Sequence, residues 1–472
     1  MACIELDTLI LEHFTDVSID KRLSRQVGGT DRAVPDYVSD WLVSRYSSDG
    51  VVDEQKVSAF LARHLPDKKQ KNALLYELNN GGTLKILDAY SVRVDVESGR
   101  VILDIPCLDI SNGGIVESII DQNPLLLVGN VWGSGTLMKR PRQDQPDRYE
   151  VCMVEFRPMQ TSVIDIDYYI QARKHFTLRQ WRELLVRSMG YNPQIYSAEE
   201  QVHLLTRLCA MVQPRLNLIE LAPKGTGKSY VFSRLSRHAW LISGGVVTRA
   251  QLFYNMSTRA SGVITRYDTV VLDEVQTIRL GDEGEIIGAL KGYLEQGEFR
   301  VMQYKGTADA GFVLLANIPL TASAQPKDSD LFTKLPSWLQ GVSSTALLDR
   351  FQGLLPGWEL RKISKDCLCD GLALKADYFG EVMHALRLRT DYTQYVKDNT
   401  RSSGNLRDIQ AVERLAAAFL KLLFPDLSQA TPDQFNEHCL KPAKNLRRRI
   451  RAQLSLVDEE YSPELADIAV HL

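Results

Sequence analysis

The sequence predicts an α/β core, formed by a parallel sheet with a helical lid, and an N-terminal region with helices and an OB-like β-barrel. The first observation is the stretch 216–230, LNLIELAPKGTGKSY, in which an apolar run, a loop with two glycines and a helix start follow one another. The second is the stretch 269–274, TVVLDE, an apolar run that ends in two carboxylates. The third is the alternation of apolar residues over 92–105, which is typical of a β-hairpin.

Length, charge and cysteine content limit the class of protein. A chain of 472 residues holds about two to four domains. The net charge of −3 excludes a global polycation, so any nucleic-acid binding must use local basic patches. Seven scattered cysteines argue against a disulfide framework. The N-terminus has no basic signal region and no apolar run reaches the length of a membrane span, so we expect a cytoplasmic protein without membrane contact.

The N-terminal part predicts helices followed by strands. Helical spacing of apolar residues continues to the Asn-Asn-Gly-Gly run at 79–82. Strands are then expected at 92–96, 101–105, 125–132, 148–156 and 163–170, with a helix near 114–121, and this pattern favours a small barrel or sandwich, an OB-like barrel first. We therefore divide the chain into a helical region (1–82), a β-rich OB-like domain (83–175), an α/β core (176–360), a helical lid (361–425) and a basic helix with its tail (426–472).

Residues 222–230 predict a phosphate-binding loop between a buried strand and a helix. In such a loop backbone N–H groups surround a phosphate, a lysine reaches the β- and γ-phosphates, and a hydroxyl holds Mg²⁺. Lys228 and Ser229 supply these last two groups, although Ala222 replaces the first glycine of the usual pattern. A glycine turn with an incidental lysine is the alternative. We expect ATP to contact Pro223, Lys224, Gly225, Thr226, Gly227, Lys228, Ser229 and Tyr230.

The acidic pair after the apolar run 269–272 is expected to act in hydrolysis. Asp273 would orient Mg²⁺ together with Ser229, and Glu274 would polarise the water that attacks the γ-phosphate. A further strand, 312–316, ends in Asn317, whose amide would position that water; an ordinary strand-end turn is the alternative. Between these motifs, 240–242 predicts a short strand and 248–256 a helix.

Two arginines C-terminal to these motifs are further candidates for catalysis. Arg350 lies in the stretch LLDRF, and an arginine supplied by a neighbouring subunit would stabilise transition-state charge on phosphate. Arg407 lies in the first turn of a long amphipathic helix, from which it would reach the nucleotide as part of a helical lid. For Arg350 the alternative is a surface ion pair.

Basic residues outside the core are candidate DNA contacts. Lys139, Arg140 and Arg142 fall in a predicted loop between strands, where they would grip phosphates. A predicted helix at 433–454 carries Arg447 and Arg448, which would bind DNA or a neighbouring subunit. A solvated loop and a solvated helix face are the respective alternatives.

The order of these motifs resembles that of an AAA+ ATPase. More closely, the strings NLIELAPKGTGKSYVFSRLS, WLISGG, LLDRFQGLLPGW and LRDIQAVERLAAAFLKLLFP are similar to the BrxL family of Lon-related proteins in BREX phage defence. The resemblance implies an ATP- and Mg²⁺-dependent hexameric ring, single or stacked, that is similar to MCM helicases, binds double-stranded DNA and acts with other BREX proteins. It implies that Asn317 is the first sensor, Arg350 the finger acting in trans and Arg407 the second sensor.

The likeness to MCM helicases also implies a DNA-contacting hairpin at 298–312 with Lys305 as its lysine, against the alternative of an exposed turn lysine. Peptidase activity is not implied, because the segment after Pro425 is too short for a Lon-like protease domain; we expect a short form or a truncation. Two other functions stay open. One is a protein unfoldase ring, with Tyr254 or Tyr304 as its pore aromatic, and the other is a nucleotide-gated defence scaffold.

Overall fold

The computed structural model describes residues 2–28, 34–48, 51–96, 98–142, 144–159 and 164–471. The chain forms two compact units. The smaller comprises Val17–Ile164 and Lys375–Glu381, and the larger comprises Met1–Asp16, Asp165–Leu374 and Val382–Leu472. The predicted core and C-terminal segment, and most of the predicted lid, thus lie in one unit, while the finer five-part division stays a prediction.

The helices vary from single turns to 18 residues. In chain order they are α1 (Ala2–Phe14), α2 (Lys21–Gly28), α3 (Asp36–Tyr46), α4 (Glu54–His64), α5 (Lys71–Asn79), α6 (Glu117–Gln122), α7 (Ile166–Ala172), α8 (Leu178–Ser188), α9 (Ala198–Val212), α10 (Lys228–Arg234), α11 (Arg249–Leu252), α12 (Val263–Arg266), α13 (Glu283–Gln296), α14 (Val342–Leu348), α15 (Ala376–Arg387), α16 (Asp391–Asn399), α17 (Leu406–Leu423), α18 (Pro432–Phe435) and α19 (Lys441–Val457). One π-turn, Asn436–Leu440, joins the last two.

The strands form one closed barrel, one parallel sheet and several two-stranded ribbons. In chain order they are β1 (Ser18–Asp20), β2 (Ser47–Ser48), β3 (Val51–Val52), β4 (Thr83–Asp95), β5 (Arg100–Ile105), β6 (Ile110–Ile115), β7 (Val131–Pro141), β8 (Tyr149–Pro158), β9 (Leu218–Ala222), β10 (Ala239–Val247), β11 (Tyr254–Asn255), β12 (Ala260–Ser261), β13 (Thr269–Leu280), β14 (Glu298–Val301), β15 (Tyr304–Thr307), β16 (Gly311–Asn317), β17 (Gly353–Pro356), β18 (Leu372–Leu374), β19 (Thr400–Ser403) and β20 (Asp467–Val470).

The smaller unit contains the predicted barrel. Its strands close in the order β4-β5-β6-β8-β7, and the hairpin expected from the alternation over 92–105 is the β4–β5 pair. Glycine allows the barrel interior to close, because a Cβ atom at Gly135 would lie 2.7 Å from the hydroxyl of buried Tyr90. The barrel prediction is confirmed.

The larger unit is organised around a five-stranded parallel sheet of order β10-β13-β16-β9-β17. The residues of β9 are all buried, as is typical of a strand covered on both faces. β13 continues to Leu280, past the acidic pair at which the sequence predicts its end, but its pairing with β16 stops at Leu272. The loop after β9, the last residue of β16 and the acidic pair of β13 therefore meet at one edge of the sheet. The predicted parallel core is confirmed.

Three predicted elements differ from the structure. The stretch 163–170 was expected to be a strand, but Ile166–Ala172 is a helix, because the Asp165 side chain accepts a hydrogen bond from the N–H of Tyr168 and caps it; Val163 lies outside the described residues. The expected helix at 248–256 ends at Leu252, since Tyr254 and Asn255 pair with β12. The strand expected over 125–132 begins only at Val131, because Pro124–Leu127 forms a 3₁₀ turn.

No helix in the described ranges combines the length and the apolar character needed to cross a membrane.

Candidate nucleotide site

The loop after β9 has the backbone of a phosphate-binding loop. Gly225 has φ of 87° and Gly227 has φ of 70°, a left-handed conformation that side chains disfavour. A Cβ atom at Gly227 would also lie 2.4 Å from Ile363 and 2.7 Å from the hydroxyl of Tyr191. Glycine is therefore required at position 227 both by conformation and by space, and α10 begins at the next residue.

Ala222, which replaces the first glycine of the usual pattern, is the last residue of β9 and is not among the residues with positive φ. Alanine therefore fits this position without backbone strain. Space for its methyl group comes from Gly357, because a Cβ atom there would lie 2.5 Å from the Ala222 Cβ.

Four of the predicted site residues meet at the carboxyl edge of the sheet. The Lys228 ammonium donates to the Asn317 Oδ1 atom over 2.6 Å, and the Ser229 hydroxyl donates to the Asp273 Oδ2 atom over 2.7 Å. The sheet register explains this convergence, because Asn317 pairs with Ala222 on the adjacent strand. Residues far apart in the sequence thus surround one loop.

Lys228 is the cation that this edge offers to a bound phosphate. Burial lowers the pKa of Lys228, and the nearby carboxylates of Glu220, Asp273 and Glu274 oppose this effect. The carboxylates thus help to keep the buried ammonium charged, and a bound phosphate would do the same. A charged group in such a place interacts more strongly with an anion than it would at the surface.

Glu274 differs from its neighbours in backbone and exposure. It has φ of 48°, which is uncommon for a residue other than glycine and costs about 1–3 kcal/mol. Its N–H donates to the Asp273 Oδ1 atom over 2.9 Å, and its side chain is exposed. The carboxylate is thus open to water just beyond the part of β13 that pairs with β16, as a general base requires.

The Ser229 hydroxyl and the Asp273 carboxylate fit Mg²⁺ by their chemistry, because this ion prefers oxygen ligands and retains several waters. The remaining residues of the predicted loop surround the same place. The Pro223 carbonyl accepts from Thr226 and Lys228, Lys224 is exposed, and the Tyr230 ring packs edge-on against Tyr191.

Sequence reasoning missed three residues that support the site. Arg207 on α9 and Glu220 on β9 form a buried two-point ion pair at 2.7 and 3.1 Å, and Arg207 also donates to the Thr226 carbonyl in the loop. Gln276 donates to the Asn317 carbonyl over 2.6 Å. The available signal was a charged residue, Glu220, inside an otherwise apolar strand.

Arg350 and Arg407 lie together, but at the opposite edge of the sheet. Arg350 shortly precedes β17, whose first residue pairs with Leu218 at the start of β9, whereas the phosphate loop follows the end of β9. The length of β9 separates the two edges by roughly 15 Å. Arg407 therefore does not cover this chain's own phosphate loop, which corrects its expected position in a lid over the nucleotide.

The candidate DNA contacts are placed differently from one another. Lys139 and Arg140 belong to β7, which extends to Pro141, so they are not in the predicted loop. The ammonium of Lys139 lies 4.8 Å from the Tyr149 ring centroid, and Arg142 pairs with Asp144. Lys305 is on the predicted hairpin, which β14 and β15 form, and is exposed beside Glu298 at 3.1 Å.

The C-terminal arginines have two different environments. Arg447 is fully buried; its guanidinium donates to the Asp408 carboxylate and to the carbonyls of Asp349 and Phe351. This burial removes Arg447 from the predicted DNA contacts, because its donors are already used inside the unit. Arg448 is exposed, and its guanidinium donates to the Oδ1 atom of its helical neighbour Asn445 over 3.1 Å.

A second polar cluster in the larger unit consists of His238, Asp268 and His384. The two imidazole rings are parallel with centroids 4.1 Å apart, so their in-plane lone pairs do not converge on one ion. Burial raises the pKa of Asp268, but the hydrogen bond from His384 and the charge of Arg387 outweigh it and hold that pKa below its ordinary value. We interpret this cluster as ionic support for the sheet.

The fold and the carboxyl edge together define a phosphate-loop nucleotide-binding domain. Sequence comparison then assigns the chain more closely. It belongs to the BrxL family: residues 151–467 match "Lon-like protease BrxL-like, ATPase domain", and residues 12–138 match "BREX system Lon protease-like protein BrxL N-terminal". The family resemblance expected from the sequence is confirmed.

Two relatives are each named Lon-like protease BrxL. The protein from Escherichia coli O9:H4 (strain HS) is 31% identical over 459 residues, and the one from Bacillus cereus (strain H3081.97) is 28% identical over 465. These matches cover 95% and 96% of this chain. The chain spans 65% of the length of the first relative and 67% of the second.

Proposed function

We propose that this chain is an ATP-hydrolysing, DNA-binding AAA+ ring protein of a BREX-type antiphage system. The proposal of ATP hydrolysis rests on the convergence of Lys228, Ser229, Asp273 and Asn317 at one edge of the sheet. The reaction is ATP and water to ADP and phosphate, with Mg²⁺ as cofactor. The barrel order supports an OB-like N-terminal domain, and the parallel core supports the AAA+ class.

Each residue has a separate role in hydrolysis. Lys228 moves from Asn317 to the β- and γ-phosphates when the nucleotide binds. Ser229 and Asp273 would hold Mg²⁺, whose charge would neutralise that of the phosphates. Glu274 accepts the proton of the attacking water, because its carboxylate is exposed beside the loop. Asn317, released from the lysine, orients that water.

The position of Arg350 and Arg407 supports a ring. Each subunit presents a phosphate loop at one edge and arginines at the other, so the arginines serve a second copy in a head-to-tail arrangement. A heterologous contact of this kind closes into a ring when the rotation fits. Six subunits, in one ring or two stacked rings, is the size that the AAA+ likeness implies.

DNA contacts in this proposal are mostly cationic. Lys305 projects from an exposed hairpin, and Lys139, Arg140, Arg142 and Arg448 add positive charge elsewhere. Such groups grip phosphates without reading bases, so we expect weak sequence preference. Double-stranded DNA and other BREX proteins are the proposed partners.

The first test measures ATPase rate and oligomer size with and without double-stranded DNA, for the wild type and Glu274→Gln. We expect DNA to stimulate the wild type, and the variant to remain bound to nucleotide and DNA as a ring. If DNA changes neither the ATPase rate nor the oligomer size, but an unfolded protein does, the result would favour an unfoldase instead. Against that function, the rings of Tyr254 and Tyr304 stack on each other at 3.7 Å rather than standing free.

A mixing experiment tests the shared site. Lys228→Ala and Arg350→Ala should each be inactive alone, because one lacks the phosphate contact and the other the neighbour's arginine. Mixed, they should recover part of the wild-type rate, since an intact phosphate loop then meets an intact Arg350. A mixture that stays inactive, while gel filtration shows mixed oligomers, would contradict action in trans.

A further inference from the structure

The pocket around Glu295 has an excess of positive charge. It is lined by three arginines and one carboxylate, together with amides and apolar groups; the polar members are Glu295, Arg350, Gln352, Arg407, Gln410 and Arg414. Burial, reinforced by the neighbouring Arg215, lowers the pKa of Arg414 to about 10, and this group still carries its charge near neutrality. A confined site with this balance favours an additional anion.

Glu295 contacts two of these arginines at once. Both of its carboxylate oxygens lie 3.1 Å from the Arg407 Nη2 atom, and Oε2 lies 2.8 Å from the Arg350 Nε atom. Phosphate oxygens accept from guanidinium groups in the same way. The carboxylate thus lies where an oxyanion would bind the two arginines.

The helix that carries Glu295 does not favour its charge. Glu295 is the penultimate residue of α13, and the C-terminal end of a helix is the negative end of its dipole. The arginines, not the helix, hold the carboxylate, so a stronger anion can replace it with little loss of local structure.

The Arg407 guanidinium is also held by Asp349, on the side away from Glu295. Its Nη1 atom donates to the Asp349 Oδ2 atom over 2.6 Å, while the buried Arg447 holds the other oxygen of Asp349 at 2.5 Å. Arg407 therefore keeps its orientation whether or not Glu295 is present. This is the preorganised arrangement that charge stabilisation in a transition state requires.

We infer that the Glu295 carboxylate is an internal substitute for phosphate. It occupies the Arg350 and Arg407 site in the separate subunit and is displaced by the nucleoside triphosphate bound to a second copy. The inference rests on the proposed function. This chain's own nucleotide is excluded by the roughly 15 Å between the two sheet edges. Glu295 is not a catalytic residue here, because it acts only by occupying the arginine site in the separate subunit. Arg414 adds a third cation to the same site.

The experiment measures ATPase rate per subunit against protein concentration at saturating ATP, for the wild type, Glu295→Gln and Glu437→Gln. The control removes an equal charge from an exposed pair with Lys441 in the same unit. We expect Glu295→Gln to reach half its maximal rate at a concentration about fivefold lower, since one ion pair no longer competes with assembly. The maximal rate per subunit should equal that of the wild type.

The outcomes separate this inference from the proposed function. A wild type without ATPase activity at any concentration overturns both. A wild type whose rate rises with concentration, but whose half-maximal concentration matches that of Glu295→Gln, overturns only the role of Glu295. A shift equally large in Glu437→Gln also overturns it, because net charge would then explain the effect. Circular dichroism confirms that each variant is folded.

Discussion

The ammonium nitrogen of Lys228 lies 2.6 Å from the Oδ1 atom of Asn317, although 89 residues separate them in the chain. The contact joins the first residue of α10 to the last residue of β16. It gives a buried cation a neutral partner at the place where a phosphate would bind. The two residues therefore form one unit, in which nucleotide binding exchanges an amide for a phosphate and frees the amide.

Asn317→Ala should separate binding from turnover. Loss of the amide removes a group that orients the attacking water, so we expect kcat to fall by about 10²-fold. ATP affinity should change little, because Lys228 keeps its interaction with phosphate. Stopped-flow binding and steady-state ATPase assays measure the two quantities, with the exposed Asn445→Ala as control. An equal decrease in affinity and kcat would contradict the assignment.

Lys228→Ala should weaken ATP binding itself. The lysine supplies charge-assisted hydrogen bonds to two phosphates, and its removal should raise the Kd for ATP by about 10- to 100-fold. The measurement is the rise in Tm that ATP causes, which should be much smaller in the variant at the same ATP concentration. Lys441→Ala, an exposed lysine elsewhere in the unit, should keep the wild-type shift. An unchanged ATP response in Lys228→Ala would argue against this loop as the nucleotide site.

Glu220→Ala should destabilise the larger unit. The substitution leaves the Arg207 guanidinium buried without its carboxylate, at a cost of about 3–5 kcal/mol. Urea unfolding measures this decrease in stability. The matched control is the double variant Arg207→Met with Glu220→Met, which should recover much of the stability because no charge stays buried. A single variant as stable as the wild type would show that the pair is not needed.

Lys421 should make stability depend on pH. Burial, reinforced by Arg387, lowers the pKa of this lysine to about 7, below the unfolded value of about 10.4. Between these values the unfolded state binds more protons, so the free energy of unfolding should rise with pH by about 1.4 kcal/mol per unit. Below pH 7 the full cost of the buried charge applies.

Lys421→Met tests this dependence. Urea unfolding from pH 7 to 10 should give a flatter profile in the variant than in the wild type. Lys441→Met, at an exposed lysine, should follow the wild type. Parallel profiles for all three proteins would contradict a lowered Lys421 pKa.

Lys305→Ala tests the hairpin as a DNA-binding element. Removal of one lysine–phosphate interaction should reduce the slope of log K against log salt by about 0.9 for duplex DNA. Binding should weaken equally for unrelated sequences, since no base is read. Fluorescence anisotropy at several salt concentrations measures the slope, with Lys441→Ala as the charge-matched control. An unaltered slope would remove Lys305 from the DNA-binding residues.

The sequence by itself determined the phosphate loop, the acidic pair at 273–274 and Asn317, because these depend on residue type and spacing within short stretches, but not the continuation of β13 to Leu280. The rule that parallel strands end at one edge then brought them together. The sequence also predicted the barrel from the alternation of apolar residues in its strands. It did not predict the helix at Ile166–Ala172, where a single capping aspartate outweighed an apolar pattern.

Only the tertiary structure decided the position of the arginines. Arg407 is paired with Glu295, 112 residues away, and Arg447 with Asp349, 98 residues away, so neither environment is visible in local sequence. The physical reason is that a charge becomes buried or exposed according to its partner in space. A pattern of basic residues along a helix records where charges occur, and only packing determines which of them remain available to a ligand.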